Sequence, residues 1–104
     1  MVLLRIQSED ESKIDKIAHL LLEEGLGMDL SITRNIDRLG YKNKKVSHTR
    51  VHLLTAKTKG LLFPLIDEKL REMFTESLPE IYTTPIVHMD WEQSKQLIHD
   101  VIEV

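Results

Sequence analysis

The feature that most restricts the fold of this chain is the order in which two kinds of hydrophobic periodicity follow one another. Short apolar runs with the two-residue repeat of a strand alternate with segments whose apolar residues recur every three or four positions, as in a helix. The order is strand, helix, strand, strand, helix, strand, with a further helix at the end. No repeat or linker interrupts the pattern, and 104 residues are the size of one domain. We therefore expect a single domain over residues 1–104.

The first half of the pattern is a strand followed by an amphipathic helix. Residues 2–7 form a short apolar run, and the acidic stretch after it predicts a helix start with Ser8 as the cap. Gly25 and Gly27 mark the end of this helix. Its apolar stripe is predicted to consist of Ile14, Ile17, Ala18, Leu21 and Leu22.

A long hairpin is predicted after this helix. Residues 26–38 alternate between apolar and polar side chains, as in a half-buried strand whose even positions face the core. Residues 40–45, which begin with a glycine, predict the tip of the hairpin. Residues 46–58 then continue as a second long strand rich in β-branched side chains.

The last part of the chain is predicted to form a helix, a strand and a closing helix. Residues 61–74 have the helical period, with Pro64 in the first turn, where a missing N–H costs little. After Pro79, residues 81–89 predict an extended segment. Asp90 is the predicted cap of a last helix over residues 91–102.

Two βαβ-like halves in this order define an α+β fold, the ferredoxin-like split βαβ sandwich. We expect a four-stranded antiparallel sheet with helices on one face, plus the C-terminal helix. The other face of such a sheet is open to water, a ligand or a partner. The long strands carry apolar residues on both faces, and this favours a partner.

Composition and charge exclude several classes of function. A formal net charge of -3 offers no positive field for a phosphate backbone. The chain has no cysteine, which excludes disulfides, thiolate metal sites and thiol nucleophiles. No run approaches the roughly 18 apolar residues that span a bilayer, and the first residues do not have the pattern of a signal peptide. We expect a cytoplasmic protein, bacterial in style, with neither nucleic acid nor membrane as its partner.

Three segments resemble those of a known family. Residues 20–28, Leu-Leu-Leu-Glu-Glu-Gly-Leu-Gly-Met, resemble the end of its first helix, and Ala-Lys-Thr at 56–58 resembles its strand-ending Lys-Thr. The most specific segment is Leu-Pro-Glu-Ile at 78–81, followed by Thr-Pro-Ile at 84–86. On these segments the chain resembles the CutA family, small trimeric proteins named for divalent cation tolerance.

The resemblance implies a tight homotrimer in which the long hairpin strands pair with neighbouring subunits. It also implies a non-enzymatic role in divalent cation tolerance, with copper as the ion, or in the response to a small ligand at clefts between subunits. Asp29 stands where the family usually has a cysteine, residues 37–39 replace a Tyr-x-Trp segment, and residues 74–76 replace His-Pro-Tyr. We interpret the chain as a divergent member in which the fold carries over better than the metal role.

Glu80 is the leading candidate for a ligand-binding residue because the resemblance places it in the Pro-Glu-Ile signature. An acid at the entrance of a strand can also pair with Lys57. Tyr82 and Trp91 are further candidates for lining the cleft. The alternative role of Glu80 is a structural salt bridge that helps to set the subunit contact.

Histidines supply weak candidates for a metal site, and a divalent metal ion is the one cofactor that the sequence suggests. His88 and Asp90 lie two residues apart on one predicted strand, without a third ligand nearby, and a helix cap is the alternative role of Asp90. His48 and His52 have a spacing that chelates only in a helix. In a strand they are about 13 Å apart, too far for one ion.

Two other functions are compatible with the predicted fold. A PII-type sensor of nucleotides or metabolites shares the fold and the trimeric habit, but the chain has no Gly-rich or basic phosphate-binding segment. A small enzyme that used the open sheet face would need a nucleophile with its base, and no such set stands out.

Overall fold

The computed structural model describes residues 1–86 and 91–102, and within them the chain forms four strands and three helices. A 3-10 turn, Gly60–Leu62, leads into the second helix. In chain order the elements are β1 (Val2–Ser8), α1 (Glu11–Glu23), β2 (Met28–Lys42), β3 (Lys45–Thr58), α2 (Phe63–Met73), β4 (Glu80–Pro85) and α3 (Trp91–Asp100).

The four strands form one antiparallel sheet in the order β2-β3-β1-β4. β1 lies between β3 and β4, and its buried Leu4 and Ile6 lie opposite Ala56 and Leu54 of β3. This is the ferredoxin-like arrangement. The predicted fold class is therefore confirmed.

The core lies between one face of the sheet and the helices. The helical period predicts most of the buried positions correctly because each helix buries a single stripe. Leu22, predicted as part of the α1 stripe, is exposed because it lies about 100° around the helix from the buried Leu21. The buried helix residues are Ile14, Ile17 and Leu21 of α1, Ile66 and Leu70 of α2, and Leu97 of α3.

Helix α1 is capped by Asp10 and not by Ser8, so the predicted cap is wrong. Asp10 Oδ1 accepts the N–H of Ser12 at 2.9 Å and the hydroxyl of Ser12 at 2.7 Å. The side-chain hydrogen bond from Ser12 lowers the pKa of Asp10. Ser8 lies two residues before this cap, and its Oγ accepts the N–H of Asp10 at 3.0 Å.

The hairpin turn is tighter than the sequence indicates. β2 and β3 are joined by Asn43 and Lys44, which have φ of 54° and 62°, the left-handed values of a type I′ turn. The predicted tip over residues 40–45 is therefore too long. Gly40 lies within β2, opposite Ser47.

A β-bulge divides the hairpin. Arg34 and Asn35 of β2 together face the single residue His52 of β3. Asn35 has φ of 59°, and its N–H donates to Nδ1 of the buried His52 at 3.2 Å. Beyond the bulge the alternation shifts by one residue. Ile36, predicted to face the core, therefore lies on the opposite face of the sheet.

Beyond the bulge, residues 36–51 project past the end of β1 as a two-stranded arm. β1 pairs with β3 only as far as His52, so that β2 and β3 pair only with each other in the arm. Three apolar side chains share one face of it and form what we call the apolar face of the arm. These are Leu39, Tyr41 and Val46, which are 62%, 74% and 63% exposed.

The third helix ends where two backbone carbonyls bind a lysine. α3 ends at Asp100, two residues earlier than predicted, and Lys59 Nζ donates to the carbonyl oxygens of Val101 and Ile102 at 3.0 and 2.9 Å. Pro64 lies in the first turn of α2, as predicted. Of the helices in the described part of the chain, none has the length and apolar character to cross a bilayer.

A substitution at the turn after α1 tests the contact between this turn and the residues that follow α3. Gly25 has φ of 66°, and its carbonyl accepts the N–H of Ile102 at 3.0 Å. A Cβ at Gly25 would lie 3.1 Å from Ile102 Cγ2. We expect Gly25→Ala to lower the free energy of unfolding by roughly 1–2 kcal/mol, because the left-handed backbone and the crowding both disfavour a side chain.

Urea unfolding measures this effect, with Gly60→Ala as the control. A Cβ at Gly60 would meet Val2 Cγ1 at 3.5 Å, which is ordinary contact. We expect the control to change the free energy of unfolding by less than half as much. Equal effects of the two substitutions would contradict this account of the turn.

Candidate functional site

The sheet face turned away from α1 and α2 carries most of the candidate residues. Strand alternation places Arg5 and Lys57 on this face together with Glu80 and Tyr82 of β4. Charged and polar contacts divide the face into three groups along the strands. The large exposed apolar side chains of the hairpin lie instead on the arm.

Glu80 lies at the entrance of β4 and pairs with Arg38. Arg38 Nη1 donates to Glu80 Oε2 at 2.8 Å and to Gln7 Oε1 at 3.4 Å. Glu80 is opposite Gln7 of β1, whereas Lys57 is opposite Leu3. Four residues of strand, about 13 Å, separate these two positions. The predicted pairing of Glu80 with Lys57 is therefore wrong.

Lys57 is held at the other end of the sheet. Its Nζ donates to Asp29 Oδ2 at 3.1 Å and to Gln93 Oε1 at 3.2 Å. Asp29, which stands at the family's usual cysteine position, has φ of 51° at an irregular point of β2. The ammonium group thus links β2, β3 and α3.

Tyr82 lies between these two groups, opposite Arg5. Arg5 Nε donates to the hydroxyl oxygen of Tyr82 at 2.9 Å, and the Arg5 guanidinium carbon is 5.7 Å from the centroid of the ring. The Tyr82 side chain remains partly exposed. This arrangement fixes the position of an aromatic ring on the open face, where it can contact a ligand or a neighbouring subunit.

The remaining predicted residues give no assembled metal centre. His88 and Asp90 lie outside the described residues, and so does the side chain of Trp91, which begins α3. Within residues 1–86 and 91–102, no group of three His, Cys, Asp or Glu side chains is placed to hold a metal ion.

His48 and His52 both lie in β3, as predicted, and they have different surroundings. His52 is buried, and its Nδ1 accepts the N–H of Asn35. His48 is exposed on the arm, with Nδ1 at 3.3 Å from the Asp37 carboxylate oxygens. The two side chains thus have separate partners, in agreement with structural roles.

A recess of about 320 Å³ opens beside Glu80. The end of β1, the first turn of α1, the base of the arm and the segment before β4 form its walls. The backbone therefore brings together residues 7–13, the base of the arm and residues 77–80, which are distant from one another in the sequence. The charged residues that line the recess are Glu9, Asp10, Lys13, Arg38 and Glu80.

Lys13 is held on one wall of this recess. Its Nζ donates to the carbonyl oxygen of Ser77 at 2.9 Å and lies 5.4 Å from the centroid of the Phe74 ring. Neither Lys13 nor Arg38 was a candidate on sequence grounds. The only sequence signal for Arg38 is that it replaces part of the family's Tyr-x-Trp segment.

Comparisons with known proteins agree with this fold. A solved divalent cation tolerance protein (CutA1) from Thermus thermophilus is 24% identical, with a TM-score of 0.82 over 97% of this chain and 99% of that chain. CutA1 from Oryza sativa is 18% identical, with a TM-score of 0.84 over 99% of this chain and 94% of that chain. A periplasmic divalent cation tolerance protein CutA from Archaeoglobus fulgidus is 20% identical, with a TM-score of 0.82 over 98% and 100%.

These structures show that the fold is similar. The sequence itself was also compared with curated proteins and with models of protein families. No curated protein matches the sequence at a significant level. The model of the CutA1 divalent ion tolerance protein matches residues 2–96, nearly the whole chain. The chain therefore belongs to the CutA1 divalent ion tolerance family.

Proposed function

We propose that this chain is a single-domain, non-enzymatic homotrimer of the cytoplasm that responds to divalent cations, copper among them, or to a small ligand at clefts between subunits. Family membership supports the divalent ion role. The PII-type alternative is not favoured, because the family match is to CutA1. The Archaeoglobus relative is described as periplasmic, so cell fractionation is the measurement that decides the location.

The exposed surface of the arm is the observation that best supports a trimer. A two-stranded ribbon is only marginally stable in water, and this one exposes Leu39, Tyr41 and Val46 on one face. β2 is also an edge strand, whose outer N–H and C=O groups are available to a neighbouring strand. Contact with another subunit would cover the apolar face and pair this edge.

The distribution of charge indicates what the arm packs against. Residues 36–51 contain five of the 14 Lys and Arg residues of the chain, but only one of the 17 Asp and Glu residues. Nine basic and sixteen acidic residues remain outside the arm. A basic arm and an acidic body attract each other between subunits, and such a contact between unlike surfaces can close into a ring.

Light scattering tests the assembly. We expect a mass of three times 12.1 kDa at micromolar concentration. Added salt should weaken the trimer, because it screens the attraction between the arm and the body. A monomer at micromolar concentration would contradict the proposal.

Copper titration by calorimetry tests the metal role, and we expect only weak binding. His88 and Asp90 are the predicted metal ligands, and residues 1–86 and 91–102 supply no group of three His, Cys, Asp or Glu side chains that could hold the ion. His88→Ala should therefore remove most of the weak binding. His99→Ala, at an exposed histidine on α3, is the control and should leave it unchanged. A submicromolar site with one copper ion per chain would show that the metal role is stronger than proposed.

A further inference from the structure

The recess beside Glu80 presents hydrogen-bond donors that the fold leaves unused. Arg38 holds Glu80 and Gln7 through Nη1 alone, and its Nε and Nη2 have no partner among the described residues. This edge of the guanidinium is a planar fork that matches a carboxylate. Lys13 donates one of its three N–H groups to the carbonyl oxygen of Ser77. The recess thus has a cationic side with free donors.

The same recess presents unused acceptors. Glu80 accepts Arg38 through Oε2, which leaves Oε1 without a partner in the described structure. Glu9 takes part in no ion pair with another described residue. Asp10 differs from both because its carboxylate already caps α1. The anionic side of the recess is therefore formed by Glu80 and Glu9.

The balance of charge disfavours two classes of ligand. A phosphate group would place its negative charges beside three carboxylates, and this repulsion opposes its attraction to Lys13 and Arg38. A divalent cation would need several oxygen or nitrogen ligands, while the two cationic side chains repel it. A small molecule that carries one positive and one negative group avoids both penalties.

We propose that this recess binds a small zwitterion of the α-amino acid class. The ligand carboxylate lies on the free edge of Arg38, and the ligand ammonium lies between Glu80 Oε1 and Glu9. A volume of about 320 Å³ is that of a small-molecule pocket. The inference rests on the small-ligand response proposed above, names its ligand class, and places its site within one subunit at the base of the arm.

Calorimetric titration of the full chain with each of the twenty common L-amino acids tests the ligand class. We expect saturable binding of at least one of them, with one site per chain. The tightest binder is then compared with its amine, which lacks the carboxylate, and with its acid, which lacks the ammonium. Each analogue should bind at least about tenfold more weakly, because it loses one charge-assisted contact.

Substitutions in the recess test the location of the site. Arg38→Gln and Glu80→Gln should each weaken binding of the tightest amino acid by about tenfold or more. The control is Arg71→Gln, which removes a guanidinium paired with Asp67 on α2, away from the recess. It should leave the affinity unchanged. No binding by any amino acid, unchanged binding in both recess variants, or equal binding of a one-charge analogue would each overturn the inference.

Light scattering on the same samples separates this inference from the proposed trimer. A trimer that binds no amino acid overturns the ligand class and leaves the assembly intact. A monomeric wild-type chain overturns the assembly whatever it binds. If Arg38→Gln alters the assembly, Glu80→Gln provides the test of the site.

Discussion

Replacing the apolar face of the arm is expected to convert the proposed trimer into monomers. The variant combines Leu39→Thr, Tyr41→Thr and Val46→Thr, because threonine keeps the preference for a strand while most of the apolar surface is removed. Each of the three side chains should contribute about 1–2 kcal/mol per subunit when a neighbour covers it. The concentration at which the trimer dissociates should therefore rise by about a hundredfold or more.

A dilution series followed by light scattering measures this effect, and circular dichroism shows whether the subunit stays folded. We expect it to stay folded, because the three replaced side chains are exposed within the subunit. The control variant combines Leu22→Gln, Leu61→Gln and Ile98→Gln, which removes a similar amount of exposed apolar surface away from the arm. It should remain trimeric. Unchanged dissociation of the arm variant would contradict the role of the arm.

Leu54→Ala is expected to lower the free energy of unfolding by about 2–5 kcal/mol. Leu54 is fully buried in the middle of β3, opposite Ile6 of β1 and Ile32 of β2. Its neighbours on both sides belong to strands that the sheet hydrogen bonds hold in place. The cavity left by alanine can therefore close only in part.

Urea unfolding of the two proteins measures the loss. Both should be compared at one protein concentration, because the proposed assembly would add a stability that depends on concentration. Leu61→Ala is the control, since Leu61 is largely exposed, and its effect should stay within about 0.5 kcal/mol. A loss for Leu54→Ala no larger than that of the control would show that Leu54 is not part of the core.

The order of the elements could be predicted from the sequence because burial on one side imposes a period on each of them. Ile14, Ile17 and Leu21 show this for α1, and Ile66 and Leu70 show it for α2. The helical period of the apolar residues predicts the buried stripe of each helix to within about one residue along the sequence. Leu22 is such an error, because it follows a buried residue directly in the sequence.

The details of the hairpin could not be predicted because they depend on strand pairing. The bulge exists because Arg34 and Asn35 share one partner across the ladder, which a single segment of sequence does not reveal. The turn is formed by Asn43 and Lys44, without the glycine that usually marks a type I′ turn. Gly40, which lies within β2, made the predicted tip begin three residues before the turn.

The candidate site was predicted only in part, for the same reason. The family signature indicates Glu80, but its partner Arg38 is 42 residues away and reaches it only through the register of the sheet. That register also places Lys57 at the other end of β1. Residues that meet through strand pairing leave no local pattern in the sequence.

The alternation of side chains along the arm limits how the family can vary in size. One extra residue in each strand would turn Leu39, Tyr41 and Val46 towards the opposite side of the subunit, and a second would restore them. Relatives that assemble through the same surface should therefore differ in arm length by even numbers of residues per strand. The reach of the arm is then expected to evolve in discrete increments of roughly 7 Å.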